Sequence, residues 1–395
     1  MRKVPELRFD GFDGEWEEKT FNDLAEYKKG PFGSSLKKEI FVQKSNSTVK
    51  VYEQKNAIEK DWKLERYFIT FEYYQKMKSF SVGPGDIIVS CAGTIGEMYE
   101  LPKDSESGII NQALMKISIN TNIDKTYFML IFDKMITKFS VTKSNGSAIK
   151  NIPPFRDLKP ARALIPTVNE QEKIGNLFRK IDDLIEIQED KVSKIRDFKK
   201  SMLQKMFPKK DELVPEFRFG GFDGEWEIKK IKEIASVKTG KSDTKDADDN
   251  GTYPFYIRSD EPVKSSKYLY DEEAVLTIGD GQIGKVFFYV NGKYDLHQRV
   301  YRIFDFTDDI DAKYFYHYFS RFFLRRAMRL SAKGTVDSVR MEMITEMEIK
   351  IPQSKEEQIK IRSFLDNLDI QIENEEKLLD SYKMMKKSLL QKMFV

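Results

Sequence analysis

The sequence predicts an α+β protein in which two similar α/β globular domains are separated by two long antiparallel helices that form a coiled coil. Two observations carry this prediction: a duplicated segment of 27 residues, and two charged segments with helical spacing of apolar side chains. Residues 4–30 and 214–240 are identical at 16 of 27 positions, which chance does not produce. Because the chain contains one fold twice, we expect pseudo-twofold symmetry between the two globular domains.

A second pair of matched sequences marks the end of each globular domain. Ile165-Pro166 and Ile351-Pro352 each lead into a Glu-Gln pair, and the charged segments that follow end in KKSMLQKMF and KKSLLQKMF. The offset between the copies falls from 210 to 187, so the first globular domain is longer by 210 − 187 = 23 residues. The predicted order is a globular domain over 1–165, a helix over 166–208, a globular domain over 209–351 and a helix over 352–395.

Both charged segments have apolar residues every three or four positions, as in Ile174, Leu177 and Ile181, which is typical of a long amphipathic helix. As a helix, the first segment would span about 55–60 Å. It has seven acids and three bases over 170–190, but one acid and six bases over 191–207, and the second segment has the same polarity. Antiparallel pairing places acid beside base, so we predict an antiparallel coiled coil. The alternative is that each helix packs only on its own globular domain.

Composition excludes several classes of protein. The chain has 67 basic and 64 acidic residues, a net charge of +3, so a nucleic-acid site would need local segregation of charge. Cys91 is the single cysteine and His297 and His317 are the two histidines, which excludes a disulfide framework and leaves little room for zinc or serine–histidine chemistry. We find no long apolar run and no start typical of a signal peptide, and we therefore expect a cytoplasmic protein with no membrane segment.

Two motifs resemble parts of enzymes. The segment from Gly279 to Gly284 fits the G-x-G-x-x-G pattern of dinucleotide sites, but the strand-like residues 285–290 follow it instead of a helix, which favours a turn. Residues 151–155, NIPPF, are similar to the Asn-Pro-Pro-Tyr signature of adenine methyltransferases, but Ile152 separates the asparagine from the prolines. We therefore predict no catalytic residue, no metal ligand and no cofactor in this chain.

Within the globular domains, the two tryptophans of the DGEW motifs, Trp16 and Trp226, are predicted core anchors. Short apolar runs predict strands and longer ones predict helices. The predicted strands are 86–89, 114–119, 274–278 and 286–290, and the predicted helices are 127–139 and 315–330.

The two globular domains share short motifs in which glycines recur while the polar residues beside them differ. Gly93-Thr94-Ile95-Gly96 corresponds to Gly281-Gln282-Ile283-Gly284, and Asn111-Gln112 corresponds to His297-Gln298. Polar loop side chains are suited to base edges, and arginine and lysine are suited to phosphates. The candidate nucleic-acid-binding residues are Gly30, Phe32, Gly33, Ser34, Ser35, Lys37, Lys38, Thr94, Asn111, Gln112, Lys143, Asn145, Ser147 and Lys150 in the first domain, and Lys241, Ser242, Gln282, His297, Gln298, Arg299, Arg321, Arg325, Arg326, Arg329, Lys333, Thr335 and Arg340 in the second.

Together, the duplicated VPE-x-RF-x-GF-DGEWE segments, the paired G-x-I-G turns, the Ile-Pro and Glu-Gln motifs before two long helices and the KKS-x-LQKMF ends make the whole chain similar to specificity subunits of type I restriction-modification enzymes. The resemblance implies that each globular domain is a target recognition domain for one half of a bipartite, asymmetric DNA site, and that the helices are a spacer between them. It also implies a non-catalytic subunit that binds double-stranded DNA and recruits two modification (methyltransferase) subunits and restriction (motor nuclease) subunits. S-adenosylmethionine, ATP and Mg would then belong to the partner subunits.

Two other functions stay open on the sequence. One is a self-contained DNA methyltransferase or nuclease, against which the missing cofactor and catalytic motifs argue. The other is a coiled-coil scaffold that binds only protein.

Overall fold

The computed structural model describes residues 3–143, 151–330 and 338–395. Its backbone contacts divide the chain into two compact units: unit 1 comprises Met1–Ile187 and Asp380–Val395, and unit 2 comprises Gln188–Leu379. Each unit contains one copy of the duplicated segment and a stretch of both long helices. The domain boundaries given above stay a prediction.

Unit 1 combines three small sheets, ordered β1-β10, β2-β9-β6-β7 and β4-β3-β8-β5, with short and long helices. Its strands are β1 (Glu17–Thr20), β2 (Ala25–Lys29), β3 (Thr48–Tyr52), β4 (Tyr67–Thr70), β5 (Ser81–Val82), β6 (Ile87–Ser90), β7 (Met98–Glu100), β8 (Gly108–Ile110), β9 (Leu114–Ile119) and β10 (Arg162–Ile165). Its helices are α1 (Phe21–Leu24), α2 (Gln54–Ile58), α3 (Phe71–Lys76), α4 (Lys125–Lys143), α5 (Phe155–Leu158) and the first part of α6 (Val168–Lys205), with 3₁₀ turns at Gly33–Ser35, Lys38–Ile40 and Lys78–Phe80.

Unit 2 has a two-stranded sheet, β11-β18, and a six-stranded sheet ordered β12-β17-β15-β16-β13-β14. Its strands are β11 (Glu227–Lys230), β12 (Ser236–Thr239), β13 (Tyr253–Tyr256), β14 (Val263–Ser265), β15 (Tyr270–Ile278), β16 (Phe287–Leu296), β17 (Val300–Phe304) and β18 (Glu348–Ile351). Its helices are the second part of α6, α7 (Ile231–Ile234), α8 (Ala312–Leu330), α9 (Met341–Thr345) and most of α10 (Lys355–Met393), with a 3₁₀ turn at Thr244–Asp246.

The two units share one strand topology. The antiparallel order β2-β9-β6 of unit 1 corresponds to β12-β17-β15 of unit 2, and the parallel pair β3-β8 corresponds to β13-β16. Unit 1 inserts α2, β4, α3 and β5 between β3 and β6, whereas unit 2 has only β14 in the equivalent place. This insertion explains most of the extra length of the first domain, and the shared topology confirms the predicted fold class.

Both domain helices begin earlier than their apolar pattern alone predicts. A carboxylate caps each one: Asp124 Oδ1 accepts from the backbone N–H of Tyr127 at 2.8 Å, and Asp311 Oδ1 accepts from that of Tyr314 at 2.8 Å. Such a cap satisfies a backbone donor that the first helical turn leaves unpaired. The helices α4 and α8 therefore start two and three residues before the predicted positions.

The arginine of each duplicated segment forms an ion pair with the glutamate that begins the long helix. In unit 1, Arg8 donates from Nε and Nη2 to the two carboxylate oxygens of Glu170 at 2.8 and 2.9 Å, and the Glu170 side chain is only 1% exposed. This hydrogen bond raises the pKa of the Arg8 guanidinium. In unit 2, Arg218 makes the same two bonds to Glu357 at 2.8 Å each. The fold itself therefore explains why these motifs recur.

The glutamine beside each glutamate fastens the long helix to the start of the domain helix. Gln171 accepts through Oε1 from the backbone N–H of Asp124 at 3.0 Å and donates through Nε2 to the Pro166 carbonyl at 2.9 Å. In unit 2, Gln358 accepts from the backbone N–H of Asp311 at 2.9 Å. Each Glu-Gln pair thus connects three segments of its own unit.

The two KMF motifs place a phenylalanine in the core of each unit. In unit 2, Phe207 packs edge-on against Trp226 and Tyr318, with ring centroids 6.4 and 5.4 Å apart. In unit 1, Phe394 stacks on Tyr127 at 5.5 Å. The two DGEW tryptophans are 3% and 1% exposed, which confirms both as core anchors.

The two long helices pair antiparallel within each unit, as predicted. Residue numbers rise along α6 as they fall along α10, and each ion pair joins the acidic half of one helix to the basic half of the other. The helices also contribute to the domain cores, with Ile174 in unit 1 and Leu365 in unit 2. The ion pairs are Asp182–Lys386 in unit 1 and Lys191–Glu375, Arg196–Glu376 and Lys199–Asp369 in unit 2.

Candidate nucleic-acid interface

In each unit, loops that carry predicted site residues lie together at one end of the strands. In unit 1, β2 and β6 end opposite the start of β9, and β3 ends beside the end of β8. In unit 2, β12 and β15 end opposite the start of β17, and β13 ends beside the end of β16. We call this end the loop edge. It comprises residues 30–47, 53–66, 91–97 and 111–113 in unit 1, and residues 240–252, 257–262, 279–286 and 297–299 in unit 2.

Gly30 and Asn111 lie against each other at the loop edge of unit 1. A Cβ on Gly30 would overlap the Asn111 carbonyl, so only glycine fits there. The Asn111 side chain accepts through Oδ1 from the backbone N–H of Ala113 at 3.0 Å and so shapes its own turn. Gln112 is exposed at the tip of that turn. Of Asn111 and Gln112, only Gln112 therefore presents its side chain to a ligand.

The loop after β2 presents most of its predicted residues to solvent. Phe32 is 87% exposed, the largest exposure among the large apolar side chains that the structure describes. Ser35 is half-buried, and its carbonyl accepts from the Tyr73 hydroxyl at 2.7 Å, which holds the loop in place. The exposed predicted residues of this loop are Phe32, Gly33, Ser34, Lys37 and Lys38.

A shallow pocket joins two of these loops in unit 1. The rings of Phe41 and Tyr67 stack with centroids 4.2 Å apart, and the Arg66 guanidinium lies over the Tyr67 ring at 4.7 Å. This stack combines a cation with flat apolar surface, as nucleic-acid sites commonly do. The pocket lining includes Lys38, Phe41, Tyr67, Asn111 and Gln112.

The paired G-x-I-G motifs are turns, as predicted. Thr94 lies between β6 and β7, Gln282 lies between β15 and β16, and both side chains are exposed. Gly96 and Gly284 have positive φ of 86° and 65°, and a Cβ on Gly284 would overlap Leu324 of α8. The glycines therefore serve the fold, while the varying residue faces outward.

At the loop edge of unit 2, Lys241 is exposed but Ser242 is buried. The Ser242 side chain donates to Asp295 Oδ1 at 2.6 Å, and Ser265 donates to Asp295 Oδ2 at 3.1 Å. Asp295 is fully buried, so these two hydroxyls satisfy a carboxylate that has no access to water. Ser242 thus holds the edge together and does not present its hydroxyl at the surface.

His297 has the same structural task in unit 2 that Asn111 has in unit 1. The His297 Nδ1 accepts from the backbone N–H of Arg299 at 3.0 Å, and the backbone N–H of His297 donates to the Tyr256 carbonyl. Asn111 likewise donates its N–H to the carbonyl of Tyr52. His297 is 3% exposed, so it supports the turn from inside and Gln298 forms the exposed tip.

We expect this turn of unit 2 to loosen at mildly acidic pH. Burial lowers the pKa of His297, with Arg258 and Arg299 adding to the effect and Asp243 and Asp280 opposing it. The neutral ring is therefore favoured in the folded state, and its contribution to stability is complete above the unfolded pKa of about 6.5 and is lost as pH falls through the lower folded value. Hydrogen exchange at residues 297–300, measured from about pH 7 to about pH 5, should accelerate beyond its intrinsic pH dependence.

The substitution His297→Asn provides the matched control for this prediction. Asparagine keeps an acceptor for the turn, as Asn111 does in unit 1, but it does not titrate. The variant should lose the extra acceleration at low pH, and residues 111–114 should not show it in either protein. An unchanged acceleration in the variant would assign it to another group.

Two further exposed residues at this edge have carboxylate partners. Gln298 Nε2 donates to Asp243 Oδ2 at 3.0 Å. Arg299, whose side chain is 64% exposed, has Nη1 3.9 Å from Asp280 Oδ2. Each carboxylate holds one nitrogen of its partner side chain at the surface, and the other N–H donors of that side chain stay available to a ligand.

The four predicted arginines of α8 do not all face solvent in the same way. Arg326 donates to the backbone carbonyls of Met343 and Glu346 at 2.8 and 2.7 Å, so it braces α9 and is not free for phosphate. Arg321 lines a pocket beside the paired long helices. The remaining pair, Arg325 and Arg329, is exposed.

Arg340 is exposed just before α9. Lys143 ends α4, and its side chain lies outside the described residues. The predicted residues wholly outside the described ranges are Asn145, Ser147, Lys150, Lys333 and Thr335.

Sequence reasoning missed three residues of the loop edges: Arg66, Arg258 and Asp280. Asp280 directly precedes Gly281 of the repeated G-x-I-G motif, but Arg66 and Arg258 lie beside no repeated motif. The alternation of charge with tyrosine in Arg66-Tyr67 was the one available signal for the first of them.

Within the described ranges, no helix is long and apolar enough to cross a membrane, and no group of three or more histidine, cysteine, aspartate or glutamate side chains is placed to hold a metal ion. The NIPPF segment contributes a bridge between Asn151 and Ala92 and then the short helix α5, which is a structural use of those residues.

A family model described as the type I restriction modification DNA specificity domain matches residues 13–197 and 223–382. The chain therefore belongs to this family, which confirms the resemblance seen in the sequence. It is 27% identical over 150 residues to the type I restriction enzyme EcoDI specificity subunit of Escherichia coli, covering 38% of this chain and 32% of that protein. The aligned part thus spans about a third of that relative.

Two solved structures have a similar fold. A crystal structure of a type I restriction-modification system S subunit from M. genitalium aligns over 99% of each chain, with a TM-score of 0.65 and 17% identity. The second is a chain from a structure described as the structural basis of complex assembly and conformational transition of the type I R-M system. The alignment covers 96% of this chain and 97% of that chain, with a TM-score of 0.56 and 14% identity.

Proposed function

We propose that this chain is the DNA sequence-specificity subunit of a type I restriction-modification complex, in which each unit reads one half of a bipartite, asymmetric site. One observation carries the proposal beyond family membership. Both units have the same scaffold at the loop edge, with matching glycine turns, but different exposed side chains, such as Thr94 against Gln282. A repeated scaffold with different polar tips is suited to reading two different sequences.

The chain itself would be non-catalytic and cytoplasmic and would have no cofactor of its own. It would recruit two modification subunits, which supply S-adenosylmethionine chemistry, and restriction subunits, which supply ATP, Mg and cleavage. Exposed apolar side chains on the long helices, such as Ile187, Met384 and Ile370 at 55–65% exposure, support a protein-binding role for those helices.

Mapping of methylated adenines in cells that express this chain with its modification subunits tests the proposal. We expect one gapped motif. Exchange of residues 30–165 for those of a relative should change one half of that motif and leave the other half and the gap unchanged.

Other outcomes would favour the alternatives. Methylation by the isolated chain would indicate a self-contained enzyme. Absence of any gapped motif, with the partners present and the chain folded, would favour a scaffold that binds only protein.

A further inference from the structure

We propose that Arg258 and Arg299 of unit 2 read guanine in the DNA half-site of that unit, and that Asp280 is the residue that positions them. This inference rests on the proposed function and deepens it, because it names the base that one unit recognises.

The topology brings the three residues together from three separate loops. Arg258 follows β13, Asp280 follows β15, and Arg299 lies between β16 and β17. The strand register places all of these positions at the loop edge. Asp280 Oδ2 lies 3.4 Å from Arg258 Nη1 and 3.9 Å from Arg299 Nη1, so one carboxylate oxygen faces both guanidinium groups.

Asp280 is anchored while the arginines stay open to solvent. Its side chain is 21% exposed, against 51% for Arg258 and 64% for Arg299. Its backbone forms a bridge with Ser338, and its Oδ1 is buried with no hydrogen-bond partner among the described residues. The carboxylate therefore contacts one terminal nitrogen of each guanidinium group, and more than half of each arginine side chain stays exposed.

Each guanidinium keeps a pair of donors for a ligand. An arginine has five N–H donors in a fixed fork, and Asp280 engages only one end of each. The free pair fits the O6 and N7 acceptors of guanine in the major groove, which is the commonest specific contact of arginine with a base. Restriction of the side chain before binding lowers the conformational entropy that binding must remove.

Phosphate is the other ligand that a pair of arginines could bind, and the local charge argues against it. Asp280 lies between the two arginines, and Asp243 approaches the same edge through Gln298. These carboxylates would repel a phosphate oxygen, whereas a guanine edge is neutral and offers acceptors only.

Unit 1 lacks the whole cluster at the equivalent positions. Ala113 occupies the place of Arg299, since both donate a backbone N–H to the side chain that shapes the turn. Ala92 occupies the place of Asp280, since both form the isolated bridge after the matching strand. Gln54, two residues after Tyr52, stands where Arg258 stands two residues after Tyr256. The three residues differ between the units as a set, which fits one recognition element present in unit 2 alone.

The test uses the full chain with its modification subunits, methylation mapping, and binding to duplexes that vary one position at a time. The half-site of unit 2 is the half that exchange of residues 30–165 leaves unchanged, and it should contain guanine at one or two positions. Arg258→Ala and Arg299→Ala should each lower discrimination at one such position about tenfold or more, without altering the other half-site. Lys232→Ala, which removes a half-exposed base of α7 outside the loop edge, is the control and should not relax any position.

The positioning role of Asp280 is tested by base discrimination, a measurement that a purely structural role would not change. Asp280→Ala should lower discrimination at the guanine positions while thermal unfolding stays at the wild-type temperature, and Asp280→Asn, which keeps an acceptor oxygen, should recover part of it. A half-site without guanine, or arginine variants that weaken binding equally for all sequences with a smaller salt dependence, would overturn the inference in favour of phosphate contacts. Failure to find any gapped motif would instead overturn the proposed function.

Discussion

A chain with four residues inserted after Asp190 and four after Lys377 is expected to direct methylation to a site with the same two half-sites and a gap longer by one to two base pairs. Four residues add about one helical turn, or about 6 Å, to each long helix, and one base pair rises about 3.4 Å. The ion pairs of Lys191, Arg196 and Lys199 all lie on one side of the paired insertion points, so they stay in register. Methylation mapping with the modification subunits measures the new gap.

The matched control inserts four residues after Asp190 alone. The antiparallel ion pairs on the two sides of the insertion, Asp182–Lys386 and Lys199–Asp369, then cannot form together without a bulge in α6. We expect this variant to lose stability and methylation and not to shift the gap cleanly. A change in either half-site after the paired insertion would contradict a spacer role for the helices.

The second large effect concerns the ion pair that fastens the long helix to each duplicated segment. Glu357→Ala is expected to destabilise unit 2 by about 3–5 kcal/mol, because it leaves Arg218 partly buried without its charge partner. Hydrogen exchange of peptides from 188–379, followed in denaturant, measures this loss. Peptides of 3–143 report on unit 1 in the same experiment, so a single global unfolding curve is not needed.

Glu170→Ala provides the mirror experiment, since the same pair joins Arg8 to Glu170 in unit 1. It should destabilise unit 1 to a similar extent. The double variant R218M/E357L should recover most of the stability, because replacing both partners removes the unpaired buried charge. Equal destabilisation of both units by either single variant would contradict this assignment.

Patterns that repeat along the chain predicted most of the fold. The antiparallel pairing followed from charge order alone, because acid and base segregate along each helix, and Lys191–Glu375 is one result. The strand β9 agrees with its prediction residue for residue, since alternation of apolar side chains is a local signal.

The roles of single residues at the site depended on partners far away in the sequence and could not be predicted. Ser242 is buried because Asp295, fifty-three residues later, needs its hydroxyl. Arg326 is not free for phosphate because it donates to the carbonyls of Met343, in α9, and Glu346, just after α9. Asp280 gains its position only when three loops meet at one end of the sheet. Local propensity and residue spacing do not encode such contacts between segments that are far apart in the sequence.

Phe394 also bears on the order in which the molecule can assemble during translation. Unit 2 is one continuous stretch, 188–379, and is fully synthesised while residues 380–394 are still to come. Unit 1 needs those last residues, because Phe394 fills its core against Tyr127 and the Lys392 carbonyl accepts from the backbone N–H of Leu7 at 2.9 Å. The core of unit 1 is therefore completed by residues that are made after all of unit 2, whereas unit 2 is assembled from one continuous stretch of the chain.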